Sequence, residues 1–132
     1  MVRYLKSGAL SEDAIHRMVM SWVNHQPNLS KYILHFPSEG KRTKTFGRRM
    51  KEYGMRRGVA DLLITLQRRG YGAMWLELKS AEGLLSKEQK MFLDDMKEQG
   101  YHTASAHSFD EAIAEIEWYI DDPKGFFFDK SS

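Results

Sequence analysis

The chain has 132 residues, a formal net charge of +2 and no cysteine, which excludes disulfides, thiolate metal sites and cysteine-dependent catalysis. The length suits a single domain, with a core over about residues 11–120 and a tail over 121–132, and no apolar run approaches the ~20 residues needed to cross a bilayer. The first residues lack the apolar stretch of a secretory signal, so we expect a soluble cytoplasmic protein.

The first half of the chain predicts a helix, a strand and a second helix. Ser11 is a suitable N-cap, and the apolar residues that follow it recur at helical spacing through Val23. A short β-like run extends from Tyr32 to Phe36. The segment from Thr43 to Tyr53 is expected to form a basic helix closed by Gly54.

Basic charge is concentrated between Lys41 and Arg57. This segment holds eight basic residues and one acid, Glu52. Such a density suits a phosphate backbone, whereas a merely soluble surface is the alternative interpretation. The residues expected to contact DNA phosphates are Lys41, Arg42, Lys44, Arg48, Arg49, Arg56 and Arg57.

The second half of the chain predicts a hairpin followed by helix, strand and helix. The two hairpin strands are the apolar runs Asp61 to Leu66 and Ala73 to Lys79. Ser86 caps the next helix, Tyr101 to Ala106 predicts another strand, and a capping box of Ser108 and Glu111 opens the last helix. The order α-β-α-β-β-α-β-α predicts an α/β domain whose mixed central sheet is flanked by helices on both faces.

The strand that ends at Lys79 combines a core pattern with charge. Because side chains alternate along a strand, Glu77 and Lys79 project on the same side. Burying both is costly unless each has a partner or binds an ion. In a hairpin, Asp61 at the start of the first strand lies beside this pair. A salt-bridged pair on a solvated strand face is the alternative for Glu77 and Lys79.

These residues predict a metal site. Asp61, Glu77 and the backbone carbonyl of Leu78 together form a hard oxygen site suited to Mg²⁺ or Mn²⁺. Such an ion can activate a water for attack on a phosphoryl group. Lys79 would position or help to deprotonate that water, or stabilise the pentavalent phosphorane.

Four short segments carry a likeness to a known family. They are Glu39-Gly40-Lys41-Arg42, Gly58-Val59-Ala60-Asp61-Leu62, Leu76-Glu77-Leu78-Lys79 and Leu85-Ser86-Lys87-Glu88-Gln89. In order and spacing they resemble the VRR-NUC branch of the PD-(D/E)XK nucleases, over roughly residues 12–120. The resemblance implies a restriction-endonuclease-like fold in which Asp61 and Glu77 are metal ligands and Lys79 is the catalytic lysine. It also implies catalytic roles for Gln89 and Glu12.

A structural interpretation competes with a role in the active site at three residues: Gln89, Glu12 and Glu39. Gln89 lies three residues after Ser86, where it would also complete a capping box. Glu12 would also favour the positive end of its helix dipole, although its spacing places it on the inward stripe. Glu39 is either an ion-pairing surface residue or an accessory group near the site.

Histidines and the C-terminal aromatic residues are assigned no catalytic role. The five histidines show no paired ligand spacing, so we expect structural or surface roles and no zinc site: His16, His25, His35, His102 and His107. The Phe126-Phe127-Phe128 run either folds back on the domain or offers an apolar patch to a second subunit.

The resemblance implies an endodeoxyribonuclease that hydrolyses phosphodiester bonds with Mg²⁺ or Mn²⁺. Stand-alone proteins that resemble this chain are small phage or bacterial proteins that act as homodimers on branched DNA such as Holliday junctions, in the bacterial cytoplasm and without a membrane or a small-molecule cofactor. Two active sites related by a two-fold axis suit paired incisions. The alternatives are a non-catalytic DNA-binding module of the same fold and a flap or restriction-type endonuclease.

Overall fold

The computed structural model describes residues 9–36, 48–49, 51–54 and 56–123. Within these residues, one sheet has the strand order β1-β2-β3-β4. Its strands are β1 Ile33–His35, β2 Leu62–Ile64, β3 Met74–Leu78 and β4 His102–Ala106. The helices are α1 Glu12–Asn24, α2 Pro27–Ser30, α3 Lys87–Glu98 and α4 Phe109–Ile120.

The sheet is mixed, as the sequence predicted. β1 pairs with β2 and β2 with β3 in antiparallel fashion, and β3 pairs with β4 in parallel. The hairpin of β2 and β3 turns at Arg69 and Gly70, whose φ angles of 52° and 83° are those that a type I′ turn requires. The crossover from β3 to the parallel β4 contains α3, which is the usual way to join parallel strands.

The elements differ from the sequence predictions in their bounds. Each strand is shorter than predicted, so that Asp61 precedes β2 and Lys79 follows β3. The single turn of α2 was not predicted, because four residues carry too little periodicity. Of the predicted basic helix, residues 48–49 and 51–52 are helical, and Gly54 follows them with a φ of 91°. The remainder of that predicted helix lies outside the described residues.

Helices pack on both faces of the sheet. The larger core joins α1 and α4 to one face, and its fully buried members include Val19, Leu76 and Ile116. On the other face, Phe92 and Leu93 of α3 pack with Trp75 of β3. Burial of these apolar side chains is the main favourable term that fixes the strand register.

Side-chain caps are present at the starts of α1, α3 and α4, as the sequence predicted. Ser11 Oγ accepts the N–H of Ala14 at 3.1 Å, which places the start of α1. Ser108 Oγ accepts the N–H of Glu111 at 3.0 Å, but the Glu111 carboxylate accepts from His107. The predicted capping box of α4 is therefore displaced by one residue in its second half.

Among the described residues, no helix is long and apolar enough to span a membrane.

Candidate active site

Asp61 and Glu77 meet at the rim of the sheet. The antiparallel register pairs Leu62 with Leu76, and its extension by one residue sets Asp61 opposite Glu77. Both carboxylates are buried, with only 4% and 3% of their surface exposed. The hairpin prediction is confirmed on this point, and the alternative of a solvated strand face does not hold for Glu77.

Asp61 is fixed by the strands on either side of it. Its Oδ2 accepts the backbone N–H of Leu78 at 2.7 Å, and its backbone carbonyl accepts the N–H of Phe36 at 2.7 Å. The segment before it is also constrained. Gly58 has a φ of 82°, and a Cβ at this position would lie 2.6 Å from the backbone carbonyl of Glu88. The absence of a side chain therefore lets the approach to Asp61 pack directly against α3.

Gln89 completes the predicted capping box and also contacts Glu77. Its Oε1 accepts the N–H of Ser86 at 2.8 Å, and its own N–H donates to Ser86 Oγ at 3.1 Å, which completes the capping box of α3. At the same time its Nε2 donates to Glu77 Oε2 at 3.0 Å. The helix cap therefore determines which way the Gln89 amide group faces, and the amide in turn holds one oxygen of Glu77.

Lys79 lies between two carboxylates. Its Nζ is 3.7 Å from Glu12 Oε1 and 3.9 Å from Glu77 Oε2, and its side chain is 12% exposed. The inward orientation predicted for Glu12 is therefore confirmed. Gly83 packs against the Lys79 side chain, because a Cβ on Gly83 would lie 3.2 Å from Lys79 Cβ and 3.3 Å from its Cδ.

The electrostatics of the two buried carboxylates are unfavourable without a cation. Burial raises the pKa of Glu77 to about 9, and the negative charge of Asp61 adds to this rise, while the Lys79 ammonium opposes it. Burial also raises the pKa of Asp61, against the effects of His16 and of the Leu78 N–H. Even beside the Lys79 ammonium, the two carboxylates do not both ionise at neutral pH unless a further positive charge joins them.

The residues at this rim fit a divalent cation. No N–H group of the described residues donates to the buried Glu77 Oε1, and the protonated Glu77 carboxyl shares a hydrogen bond with Asp61 that a bound ion would replace. Within that same part of the chain, no three side chains of His, Asp or Glu are grouped as a ready metal site. The donor set is therefore two carboxylates completed by the backbone and water, and Mg²⁺ is commonly bound through one or two carboxylates with several waters.

Two histidines near the site were missed by the sequence analysis. His16 Nε2 lies 3.5 Å from Asp61 Oδ2, and His16 Nδ1 lies 3.3 Å from His35 Nε2. The available signal was the position of His16 four residues after Glu12, which places both on one face of α1.

The other three histidines have structural contacts, as predicted. His25 Nδ1 contacts the carbonyl of Ser21 at 2.7 Å, and His107 Nδ1 contacts the carbonyl of Ser80 at 3.0 Å. His102 stacks on Tyr119 with an interplanar angle of 6°.

The predicted DNA contacts are placed in part. Of the seven basic residues, four are described and exposed: Arg48, Arg49, Arg56 and Arg57. Arg56 lies 5.9 Å from the ring of Phe92 on α3, which places this end of the basic segment beside the helix that carries Gln89. The other predicted residues, together with Glu39 and the tail aromatics, lie outside the described residues: Lys41, Arg42, Lys44 and Phe126–Phe128.

Comparisons with known proteins identify the family. A family model described as the VRR-NUC domain matches residues 10–110. A solved structure described as a VRR_NUC domain protein aligns with a TM-score of 0.73 and 27% sequence identity, over 85% of this chain and 89% of that chain. No curated protein matches the sequence. Since the family model spans well over half of the chain and the solved structure shares its sheet and helices, this protein belongs to the VRR-NUC domain family, a nuclease-type DNA-processing module.

Proposed function

We propose that this chain is a Mg²⁺- or Mn²⁺-dependent endodeoxyribonuclease that hydrolyses phosphodiester bonds in branched DNA, with a Holliday junction as its preferred substrate. The observation that carries the proposal is the pair of buried carboxylates, Asp61 and Glu77, which face each other with no N–H group of the described residues donating to Glu77 Oε1. In the metal-free protein Glu77 avoids a like charge beside Asp61 by keeping its proton, since its pKa is raised to about 9, whereas a divalent cation would let both carboxylates ionise.

Each residue of the site has a role in this proposal. Asp61, Glu77 and the carbonyl of Leu78 hold the divalent ion, which when bound supplies a Lewis acid for the phosphoryl oxygen and a more acidic water. Lys79 donates hydrogen bonds to the attacking water and to the phosphoryl oxygens as negative charge develops there. Glu12 keeps the Lys79 ammonium in place, at 3.7 Å.

The amide of Gln89 is suited to this site because it is neutral. It donates to Glu77 Oε2 at 3.0 Å and so holds one oxygen of the carboxylate without competing for the cation. The other oxygen, Oε1, keeps its capacity to bind the ion. Gln89 therefore fixes the direction in which Glu77 presents its charge, which is the function expected of a group that orients a metal ligand.

The exposed arginines supply affinity for the DNA backbone. Arg56 and Arg57 lie five and four residues before Asp61 in the chain, so phosphates bound there lie close to the two carboxylates. Contacts of this kind are sequence-independent, because they neutralise phosphates and release counterions. Affinity for DNA should accordingly fall steeply as salt rises, and substrate choice should follow the shape of the DNA.

The proposal predicts a homodimer. A four-way junction presents two symmetry-related strands, and two active sites related by a two-fold axis would cut both. Sizing of the full chain in solution, with and without junction DNA, tests this part separately. A protein that stays monomeric on the junction would argue for single incisions of the flap type.

The decisive experiment compares wild type with Glu77→Gln on labelled four-way junction, flap and linear duplex DNA. Each reaction is run in Mg²⁺, in Mn²⁺ and in EDTA. Glu82→Gln, an exposed glutamate in the turn after Lys79, is the matched control. We expect wild type and the control to cut the junction in either metal, and we expect Glu77→Gln to bind DNA without cutting it.

The outcomes distinguish the competing functions. Equal nicking by wild type and Glu77→Gln, or none by wild type in any divalent metal, would remove the catalytic proposal. Metal-independent DNA binding without cleavage would instead identify a binding module of the same fold. Cleavage of flaps with intact junctions would retain the nuclease and change its substrate.

A further inference from the structure

His16 contacts the same carboxylate oxygen that the backbone of β3 holds. On α1, its Nε2 lies 3.5 Å from Asp61 Oδ2, and its side chain is only 14% exposed. The N–H of Leu78 donates to that same Oδ2 at 2.7 Å. Both contacts fall on one oxygen of Asp61. The other oxygen, Oδ1, is therefore the one suited to the cation.

A second histidine continues this contact toward the surface. His16 Nδ1 lies 3.3 Å from His35 Nε2, and the two rings meet edge to face, with an interplanar angle of 75°. His35 is exposed, and it pairs with Leu62, the residue after Asp61, in the β1–β2 ladder. Asp61, His16 and His35 therefore form a continuous series of contacts from the buried carboxylate to the surface.

One arrangement of protons makes both contacts of His16 hydrogen bonds. For the neutral His16 ring to donate from Nε2 to Asp61, its Nδ1 must be the acceptor. A proton on His35 Nε2 satisfies this requirement, because His35 then donates to His16 Nδ1. The arrangement resembles the outer partners of metal sites, where a hydrogen bond to the far nitrogen of an imidazole sets its tautomer and ring orientation.

We infer that His16 is a positioning residue of the nuclease site, which fixes the Asp61 carboxylate for the divalent ion, and that His35 fixes the tautomer of His16. The inference rests on the proposed function, since it assigns Asp61 as a ligand. It does not make His16 a ligand itself. A residue that acts through Asp61 alters how tightly the ion is held, and the DNA affinity of the metal-free protein is left unchanged.

The test measures binding of Mn²⁺ alone to the full chain, by calorimetry and by electron paramagnetic resonance, without DNA. The variants are His16→Ala, His16→Gln and His35→Ala. His25→Ala is the matched control, because His25 caps the far end of the same helix and its ring contacts the carbonyl of Ser21. Thermal unfolding in EDTA identifies any variant that fails to fold, in which case His16→Gln carries the test.

We expect His16→Ala to weaken Mn²⁺ binding roughly 10- to 100-fold, the usual effect of losing an outer partner of a metal ligand. His16→Gln keeps a donor at similar reach and should recover part of the affinity. His35→Ala should have a smaller effect, and His25→Ala none. The resonance spectrum of wild type should show no directly bound nitrogen.

Three results would overturn the inference, and they separate it from the proposed function. Unchanged Mn²⁺ affinity in His16→Ala, with weakened binding in Glu77→Gln, would reject His16 alone. A nitrogen bound directly to the ion would make His16 a ligand and refute the positioning role. Absence of Mn²⁺ binding by wild type would reject both the inference and the metal-dependent function on which it depends.

Discussion

Removing the charge of Glu77 should stabilise the metal-free protein while abolishing cleavage. In Glu77→Gln the side chain keeps its shape and can still accept from Gln89 through its amide oxygen. What it loses is a carboxylate that is 3% exposed and faces Asp61. The substitution therefore separates the contribution of charge from that of packing.

The size of the effect follows from the raised pKa of Glu77, which changes from its ordinary value of 4.5 to about 9 in the fold. Since the pKa is raised, the wild-type stability is fully present below about pH 4.5 and is lost progressively as the pH rises toward 9. At pH 7, about 2.5 pH units above the ordinary value, protonating Glu77 on folding costs about 3 kcal/mol, at about 1.4 kcal/mol per pH unit. Glutamine avoids this cost.

The assay is thermal unfolding in EDTA at pH 5, 7 and 8.5. Glu77→Gln should melt roughly 10 °C above wild type at pH 7, by the usual relation between free energy and Tm for a domain of this size. The difference should shrink toward pH 5 and grow toward pH 8.5. Glu82→Gln, at an exposed position, should show no such difference. Equal melting of wild type and Glu77→Gln at every pH would refute the electrostatic reasoning.

Three further substitutions test the supports of the site. Gly58→Ala should destabilise the fold by about 2 kcal/mol or more and reduce cleavage, because φ is 82° and the new Cβ would lie 2.6 Å from the backbone of α3. A variant as stable as wild type would contradict this close approach of Gly58 to α3. Gly83→Ala should leave the melting temperature nearly unchanged but lower kcat roughly tenfold, because the new Cβ would lie 3.2 Å from Lys79 Cβ and displace the Lys79 side chain. An unchanged kcat would show that the position of Lys79 does not depend on Gly83. Tyr119→Phe removes the hydrogen bond from Tyr119 Oη to the carbonyl of Leu66, so the free energy of unfolding should fall by about 1–2 kcal/mol while cleavage is unaffected. Loss of cleavage would contradict a purely structural role for Tyr119.

The sequence predicted the pairing of Asp61 with Glu77 because that pairing is local. A hairpin register is determined by its turn and by the alternation of apolar residues, both of which are visible in the chain. Glu12 was also predictable, because helical spacing placed it on the inward stripe. The type of every long helix and strand followed from the same periodicities.

The remainder of the site depends on tertiary packing that no local pattern encodes. His16 reaches Asp61 through the packing of α1 on the sheet, and the spacing of paired histidine ligands does not detect a histidine that contacts a carboxylate. The cap and a place in the site were alternatives for Gln89 in the sequence, although an amide has a donor and an acceptor and can contact both Ser86 and Glu77. The single helical turn of α2 is determined by packing against neighbouring elements and not by a pattern in its own four residues.

The position of Gln89 restricts which residue the chain can use there. Glutamate and glutamine serve equally well three residues after a serine cap, so the helix alone would tolerate either. At this position a glutamate would place a third carboxylate beside Asp61 and Glu77, with an oxygen where the amide nitrogen now lies, 3.0 Å from Glu77 Oε2. The capping geometry of α3 therefore permits glutamate in place of Gln89, whereas repulsion from Glu77 disfavours it. A single-atom difference between oxygen and nitrogen separates a competent site from a repulsive one.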